Sequence, residues 1–246
     1  MGVYLVFYFI LLLWLIQAAT SQEAGVPSLC HETCGDFFIP PPFGIEIGCY
    51  SNSWFRVTCN ETANGLKPFL SRINLELLGS FWQGVNVVVN NPVTYLNCGN
   101  KGNNGTIPPA SVNLTGSPFF FSSRFNIFGS VGCGNLASVF RNTETDPISG
   151  CLQQICGDLT SKLGGCYASI PENLNSYTAT MTEIINPGKQ EYSKRCTSAF
   201  LFDLNMLNSS GPDLEFPHDM SIDTTHVTTT LEWNPVKCDL EGQHSL

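Results

Sequence analysis

Apolar and polar residues alternate with a period of two over short stretches of this chain, and glycine, proline and asparagine interrupt the alternation every few residues. Ile73, Leu75 and Leu77 alternate with Asn74 and Glu76, the spacing of a strand buried on one face. Residues 84–90 form a β-branched run closed by Asn91-Pro92. Further strands are expected over 119–128, 177–184, 197–204 and 228–233. Helical periodicity is nearly absent; a short helix over 150–163, resting on Leu152, Ile155 and Leu159, is the one exception expected. The pattern predicts a mainly β protein, a sandwich or meander of short strands with little helix.

The N-terminus departs from this pattern. Residues 5–16 are unbroken apolar residues followed by Ala18-Ala19-Thr20-Ser21, the form of a secretory signal peptide, here expected over 1–21. The segment before the apolar run has no Lys or Arg. A membrane span needs about 20 apolar residues, and Gln17 and Thr20 end this run early. No later run is apolar enough to cross a bilayer, so the mature chain is expected to be secreted, without a transmembrane span. It would be membrane-associated only if the N-terminal segment stayed uncleaved.

Eleven cysteines agree with export: Cys30, Cys34, Cys49, Cys59, Cys98, Cys133, Cys151, Cys156, Cys166, Cys196 and Cys238. Many dispersed cysteines behind a signal peptide read as a disulfide framework. A zinc site is not expected, since no C-x2-C pair exists and none of His31, His218, His226 and His244 has a partner at ligand spacing. The odd count leaves one thiol over, either buried or paired with another chain. Four glycosylation tripeptides begin at Asn60, Asn104, Asn113 and Asn208, each a candidate for a surface glycan.

Charge divides the chain. Residues 22–140 carry five basic and six acidic side chains, and residues 141–246 carry six basic and fourteen acidic, within a total of −9. With the polar, turn-prone run Arg141-Asn142-Thr143-Glu144-Thr145-Asp146-Pro147 between them, this predicts two small disulfide-rich β lobes. The first spans 22–136 and the second 151–240, with a linker over 137–150 and a tail over 241–246. No nucleic-acid partner is expected of so acidic a chain.

No catalytic template is present: G-x-S-x-G, H-E-x-x-H, the P-loop and G-x-G-x-x-G are all missing. Asp36, Glu46, Glu61 and Glu76 show no spacing suited to glycoside cleavage, and a hydrolase is the least favoured reading. Carbohydrate binding has the better physical basis. Sugar rings set C–H faces on aromatic planes while hydroxyls seek polar neighbours, and Tyr50, Trp54, Phe55, Trp82 and Tyr95 lie in the first half. Arg56, Lys67, Arg72, Lys101 and Arg124 would meet the carboxylates of an acidic polysaccharide, because a guanidinium fork matches a carboxylate. The candidate binding set is therefore Trp54, Arg56, Lys67, Arg72, Trp82, Lys101 and Arg124. Strand alternation through Trp54-Phe55-Arg56-Val57 would put Trp54 and Arg56 on one face.

The run Cys34-Gly35-Asp36-Phe37-Phe38-Ile39-Pro40-Pro41-Pro42-Phe43-Gly44-Ile45 is followed by Gly48-Cys49-Tyr50 and by Trp54-Phe55-Arg56-Val57-Thr58-Cys59-Asn60. With Gly116-Ser117-Pro118-Phe119-Phe120-Phe121-Ser122 and Gly132-Cys133, it resembles the extracellular galacturonan-binding module of plant wall-associated receptor kinases. The second half, with Gly150-Cys151, Cys156, Gly165-Cys166, Ile170-Pro171, Cys196-Thr197-Ser198-Ala199-Phe200 and Leu231-Glu232-Trp233, resembles the second ectodomain region of the same family. The resemblance implies a β-rich ectodomain associated with pectin, chiefly homogalacturonan, and with wall-integrity or defence signalling. Members of the family continue into growth-factor-like repeats, a membrane helix and a kinase, which this sequence lacks; a non-catalytic soluble decoy or co-receptor is the expectation. Two departures stand out: Tyr167 follows Cys166 where members often have a second cysteine, and the chain is acidic although its expected ligand is too. No cofactor is expected, with Ca²⁺ as a bridge between carboxylates the one exception considered. A protein-interaction ectodomain binding receptor kinases or secreted peptides, or a truncated receptor-kinase product, is the alternative.

Overall fold

The computed structural model describes residues 30–81, 85–96, 110–132, 134–141, 145–153, 165–184, 197–206 and 225–234. The apolar segment 5–16 lies outside them. Among the described residues no helix is long and apolar enough to cross a membrane.

The described residues are mainly strand: β1 (Thr33–Cys34), β2 (Phe37–Phe38), β3 (Val57–Thr62), β4 (Gly65–Leu70), β5 (Leu75–Phe81), β6 (Asn86–Pro92), β7 (Thr94–Leu96), β8 (Ser111–Asn113), β9 (Phe119–Phe121), β10 (Asn126–Val131), β11 (Asn135–Phe140), β12 (Pro147–Leu152), β13 (Gly165–Ala168), β14 (Ser176–Glu183), β15 (Thr197–Asp203) and β16 (His226–Trp233). Helix is limited, among these residues, to two single 3-10 turns, Ser53–Phe55 and Leu204–Met206. The mainly β expectation is met.

A six-stranded sheet runs β3-β4-β5-β6-β16-β9, and two four-stranded sheets run β13-β10-β15-β7 and β12-β11-β14-β8. β1 and β2 form a separate hairpin. Pairing between these strands is antiparallel throughout.

Four expectations differ from the structure at element level. The stretch 137–150, expected as a linker, holds most of β11 and the start of β12, and β11 is the inner strand between β12 and β14. Its apolar positions Ala137 and Val139 are buried on one face, and that alternation outweighs the polar run beside it. Nor do the sheets follow the expected lobe boundary, because β16 lies between β6 and β9. The helix expected over 150–163 begins instead as strand, with Gly150 and Cys151 opposite Ser138 and Ala137. Three apolar positions are a weak helical signal beside a waiting partner strand; residues 154–164 lie outside the described set. The strand expected over 119–128 is split in two. The Ser122 hydroxyl accepts from Phe125 N at 3.1 Å and the Ser122 carbonyl from Asn126 N at 3.0 Å, which closes a turn between β9 and β10.

One large core joins the sheets, with Phe55, Val57, Leu70, Phe121, Phe128, Val139, Tyr177, Leu201 and Leu231 all buried in it. A smaller cluster gathers Val93, Tyr95, Phe200, Phe202 and Val227. Buried hydrogen bonds fasten one sheet to the next. Asn91 Nδ2 donates to Tyr177 Oη at 2.7 Å and to the Leu201 carbonyl at 3.1 Å, and Thr229 Oγ1 donates to the same carbonyl at 2.6 Å. Burial raises the Tyr177 phenol well above its ordinary range, against the opposing pull of Asn91.

Candidate functional site

Asn52 organises the approach to the exposed aromatic and basic residues. Its side-chain oxygen accepts from Trp54 N at 2.9 Å and its carbonyl from Phe55 N at 3.0 Å, so Ser53–Phe55 coils into a 3-10 turn. Phe55 is driven fully into the core. Trp54 is left half-buried and Arg56 exposed. Trp54 and Arg56 are therefore not alternate residues of one strand, as expected; β3 begins only at Val57. The capping by Asn52 supplies the physical reason.

The residue that meets Trp54 is Arg72. It belongs to the turn joining β4 to β5, where Ile73 N and Asn74 N both donate to the Leu70 carbonyl. Asn74 takes a positive φ of 53° there, a conformation asparagine tolerates better than most residues. The Arg72 guanidinium carbon lies 3.9 Å from the centre of the Trp54 ring, and Nη1 donates to Ser53 Oγ at 3.0 Å. Ser71 N donates to the Arg56 carbonyl at 3.0 Å, which fixes the two arginine-bearing segments side by side. The Thr58 and Ser71 hydroxyls share a hydrogen bond of 2.6 Å.

The result is a surface platform of the Trp54 indole, the Arg72 guanidinium and three hydroxyls, with exposed Arg56 on the neighbouring segment. A cation on an aromatic face is held by the ring quadrupole. Ser53 takes one of the five donors of the Arg72 fork. Arg72 covers one face of the indole and Trp54 packs against the core, so what such a surface offers is chiefly N–H donors to carboxylates.

The other candidates are placed differently. Lys67 Nζ pairs with Glu76 Oε1 at 2.5 Å, and Asn90 Nδ2 donates to Glu76 Oε2 at 2.9 Å. Partial burial raises the Glu76 pKa, but the bonds from Lys67 and Asn90 outweigh it, and the net shift is downward. Lys67 is thus committed to an internal partner. Arg124 lies in the turn between β9 and β10, 5.3 Å from the ring of its neighbour Phe125. Trp82 and Lys101 lie outside the described residues. Of the remaining aromatics considered, Phe55 and Tyr95 are core residues and Tyr50 packs against the core.

Bridges join Cys30 to Cys49, Cys34 to Cys59 and Cys151 to Cys166. Cys98, Cys133, Cys156, Cys196 and Cys238 lie outside the described residues, as do the tripeptides at Asn104 and Asn208. Asn60 is half-buried on β3, and Asn113 is exposed at the end of β8. Among the described residues no three His, Cys, Asp or Glu side chains gather as a metal site.

The relatives found among curated proteins include three from Arabidopsis thaliana. Wall-associated receptor kinase-like 3 is 32% identical over 79% of this chain and 29% of its own length. Wall-associated receptor kinase-like 6 is 34% identical over 70% of this chain and 30% of its own. Wall-associated receptor kinase-like 1 is 33% identical over 83% of this chain and 29% of its own. This chain matches a wall-associated receptor kinase-like ectodomain. It spans about three tenths of the length of these relatives. No protein-family model matches the chain, and no solved structure does.

The sequence motifs that carry the kinship lie at the centre of the ectodomain. Phe43, Phe55, Phe119 and Trp233 pack together, with ring centres 5.2–6.4 Å apart and mostly edge to face. Gly44 follows Phe43 because any Cβ there would stand 2.2 Å from the Cys49 carbonyl oxygen. The motif specifies a core; the exposed platform lies beside it. Ser53, Thr58 and Ser71 were not singled out from sequence, since only the pairing of β3 with β4 brings them to the arginines.

Proposed function

We propose that this ectodomain is a non-catalytic binder of acidic wall polysaccharide, pectin in its de-esterified form, with Trp54, Arg56 and Arg72 as the contact residues. One observation carries the reading: the Arg72 guanidinium is stacked on Trp54 and tied to Ser53, with Arg56 held alongside. A cation already fixed in place loses little rotamer freedom on binding, and a polygalacturonate chain presents a carboxylate on every ring. The names of the relatives place those proteins at the wall, which supports an extracellular, wall-side location for this one.

The net charge of −9 opposes an anionic polymer at long range. Screening shortens that repulsion to about 8 Å at 0.15 M salt, whereas contacts at the platform act over hydrogen-bond distances. Retention of the purified ectodomain on de-esterified pectin, with a salt titration and a chelator arm, tests the reading. Binding should fall with salt, and Arg72→Ala should weaken it by about tenfold to a hundredfold, the effect of losing one charge-assisted hydrogen bond worth about 1.5–3 kcal/mol. Unchanged retention of an Arg56→Ala/Arg72→Ala double variant would remove the platform from the site. Loss with chelator alone would assign binding to Ca²⁺ bridging.

A protein-binding ectodomain is the second reading. It is favoured by the cross-strand pair Leu136 and Leu152, which remain 40% and 61% exposed. Absence of pectin binding at low salt would favour it.

A further inference from the structure

A cleft of about 430 Å³ lies where β4, β5, β6 and β16 meet β8, with none of the platform residues in its wall. Phe69, Ile73 and Pro92 give it an apolar surface; Glu76, Asn90 and His226 give it polar groups. The Glu76 charge is balanced by Lys67 at 2.5 Å. The volume falls in the range of about 300–1,000 Å³ usual for small-ligand sites. An aromatic ring beside an amide and a compensated carboxylate suits an uncharged ring bearing hydroxyls, whose C–H face and polar edge need different neighbours.

Asn113 is itself part of the cleft wall, and it heads the tripeptide Asn113-Leu114-Thr115. Its side-chain oxygen accepts from Thr115 N at 2.9 Å, an Asx turn that fixes the amide group. That bond uses the oxygen and not Nδ2, the atom to which a glycan is joined. Leu114 is fully buried, so the attachment point is anchored to the core. Asn113 is exposed, as a glycan acceptor must be.

We propose that Asn113 carries an N-linked glycan whose first sugar residues lie in this cleft, so that the ectodomain covers part of its own sheet with a neutral saccharide. The apolar faces of those sugars rest on Phe69, and their hydroxyl and amide groups meet Glu76, Asn90 and His226. Ile73 and Asn74, which line the cleft, follow Arg72 directly in sequence. The seated glycan therefore borders the turn that holds the platform without occupying the Trp54 stack.

The test uses the full chain secreted from a glycosylating host. Glycopeptide mass spectrometry should find Asn113 occupied. Enzymatic release of that glycan from the native protein should be at least about tenfold slower than from the unfolded chain, the factor that about 1.4 kcal/mol of docking gives. Phe69→Ala should abolish the protection. If that variant fails to fold, Ser111→Trp, which fills the cleft from an exposed position, should do the same. Thr115→Ala, which removes the acceptor tripeptide, should lower Tm by about 2–4 °C, as the loss of about 1 kcal/mol does in a domain of this size. An unoccupied Asn113, or native release as fast as unfolded release, would overturn the proposal. Pectin retention is read separately, so either proposal can fail alone.

Discussion

Arg72 is constrained by two contacts of different kinds: the Trp54 ring fixes the plane of its guanidinium, and Ser53 fixes its rotation in that plane. Side-chain chemistry singled out Trp54, Arg56 and Arg72 in the sequence as candidates. It could not select their partners, because the link depends on an asparagine-capped turn and on strand register. The same limit applies to Lys67, whose neutralisation by Glu76 needs β4 beside β5. Glu76 has a pH signature. Its folded pKa is depressed below 4.5, so its stabilisation is fully present above pH 4.5 and is lost as pH falls through the lower folded value. Tm measured against pH should show Glu76→Gln less stable than the parent above pH 4.5, with the two curves converging in stronger acid. In the interior, Tyr177→Phe removes an acceptor from Asn91. It should cost about 1–3 kcal/mol in denaturant unfolding, because a buried amide donor loses a partner.

At the scale of elements, disulfides act where short strands need support. Cys34 on β1 is bonded to Cys59 on β3, which ties the small hairpin to the six-stranded sheet. Cys151 on β12 is bonded to Cys166 on β13, joining the outer strands of the two four-stranded sheets. The chain between them closes a loop with a sequence separation of 15 residues. A Cys151→Ser/Cys166→Ser double variant should lose about 2–4 kcal/mol of stability by denaturant titration, as removal of such a crosslink does. Period-two alternation made most of the long strands legible: β5, β6, β14, β15 and β16 all fall close to where the apolar pattern placed them. β11 and β12 were missed because a polar run between them read as a boundary. That run is instead the connection of an antiparallel pair, in which Ala137 lies opposite Cys151. A turn between partner strands and a linker between lobes have the same composition, and only the pairing separates them.

On the scale of the whole molecule, residues from both halves share sheets and share the core. β16 pairs with β6 on one side and with β9 on the other. Trp233, near its end, packs on Phe43 and Phe55 from the first half. Separately expressed segments 22–136 and 151–246 should therefore each fail to give a cooperative thermal transition, whereas their co-expression should recover some. A sharp unfolding transition in either segment alone would contradict this. The charge asymmetry between halves was legible and correct as composition, but it says nothing about where the chain divides in space.

The position of β16 also sets a timetable. While the chain is being made, β6 and β9 exist long before the strand that fits between them, and each presents an unpaired backbone edge in the meantime. Pairing at such sequence distance is slow to form. The nascent protein must therefore wait with an open slot in its six-stranded sheet, where folding assistants can hold it and where a second nascent copy can insert by mistake. A late-synthesised strand thus makes the yield of folded protein sensitive to what surrounds the chain before residue 233 emerges.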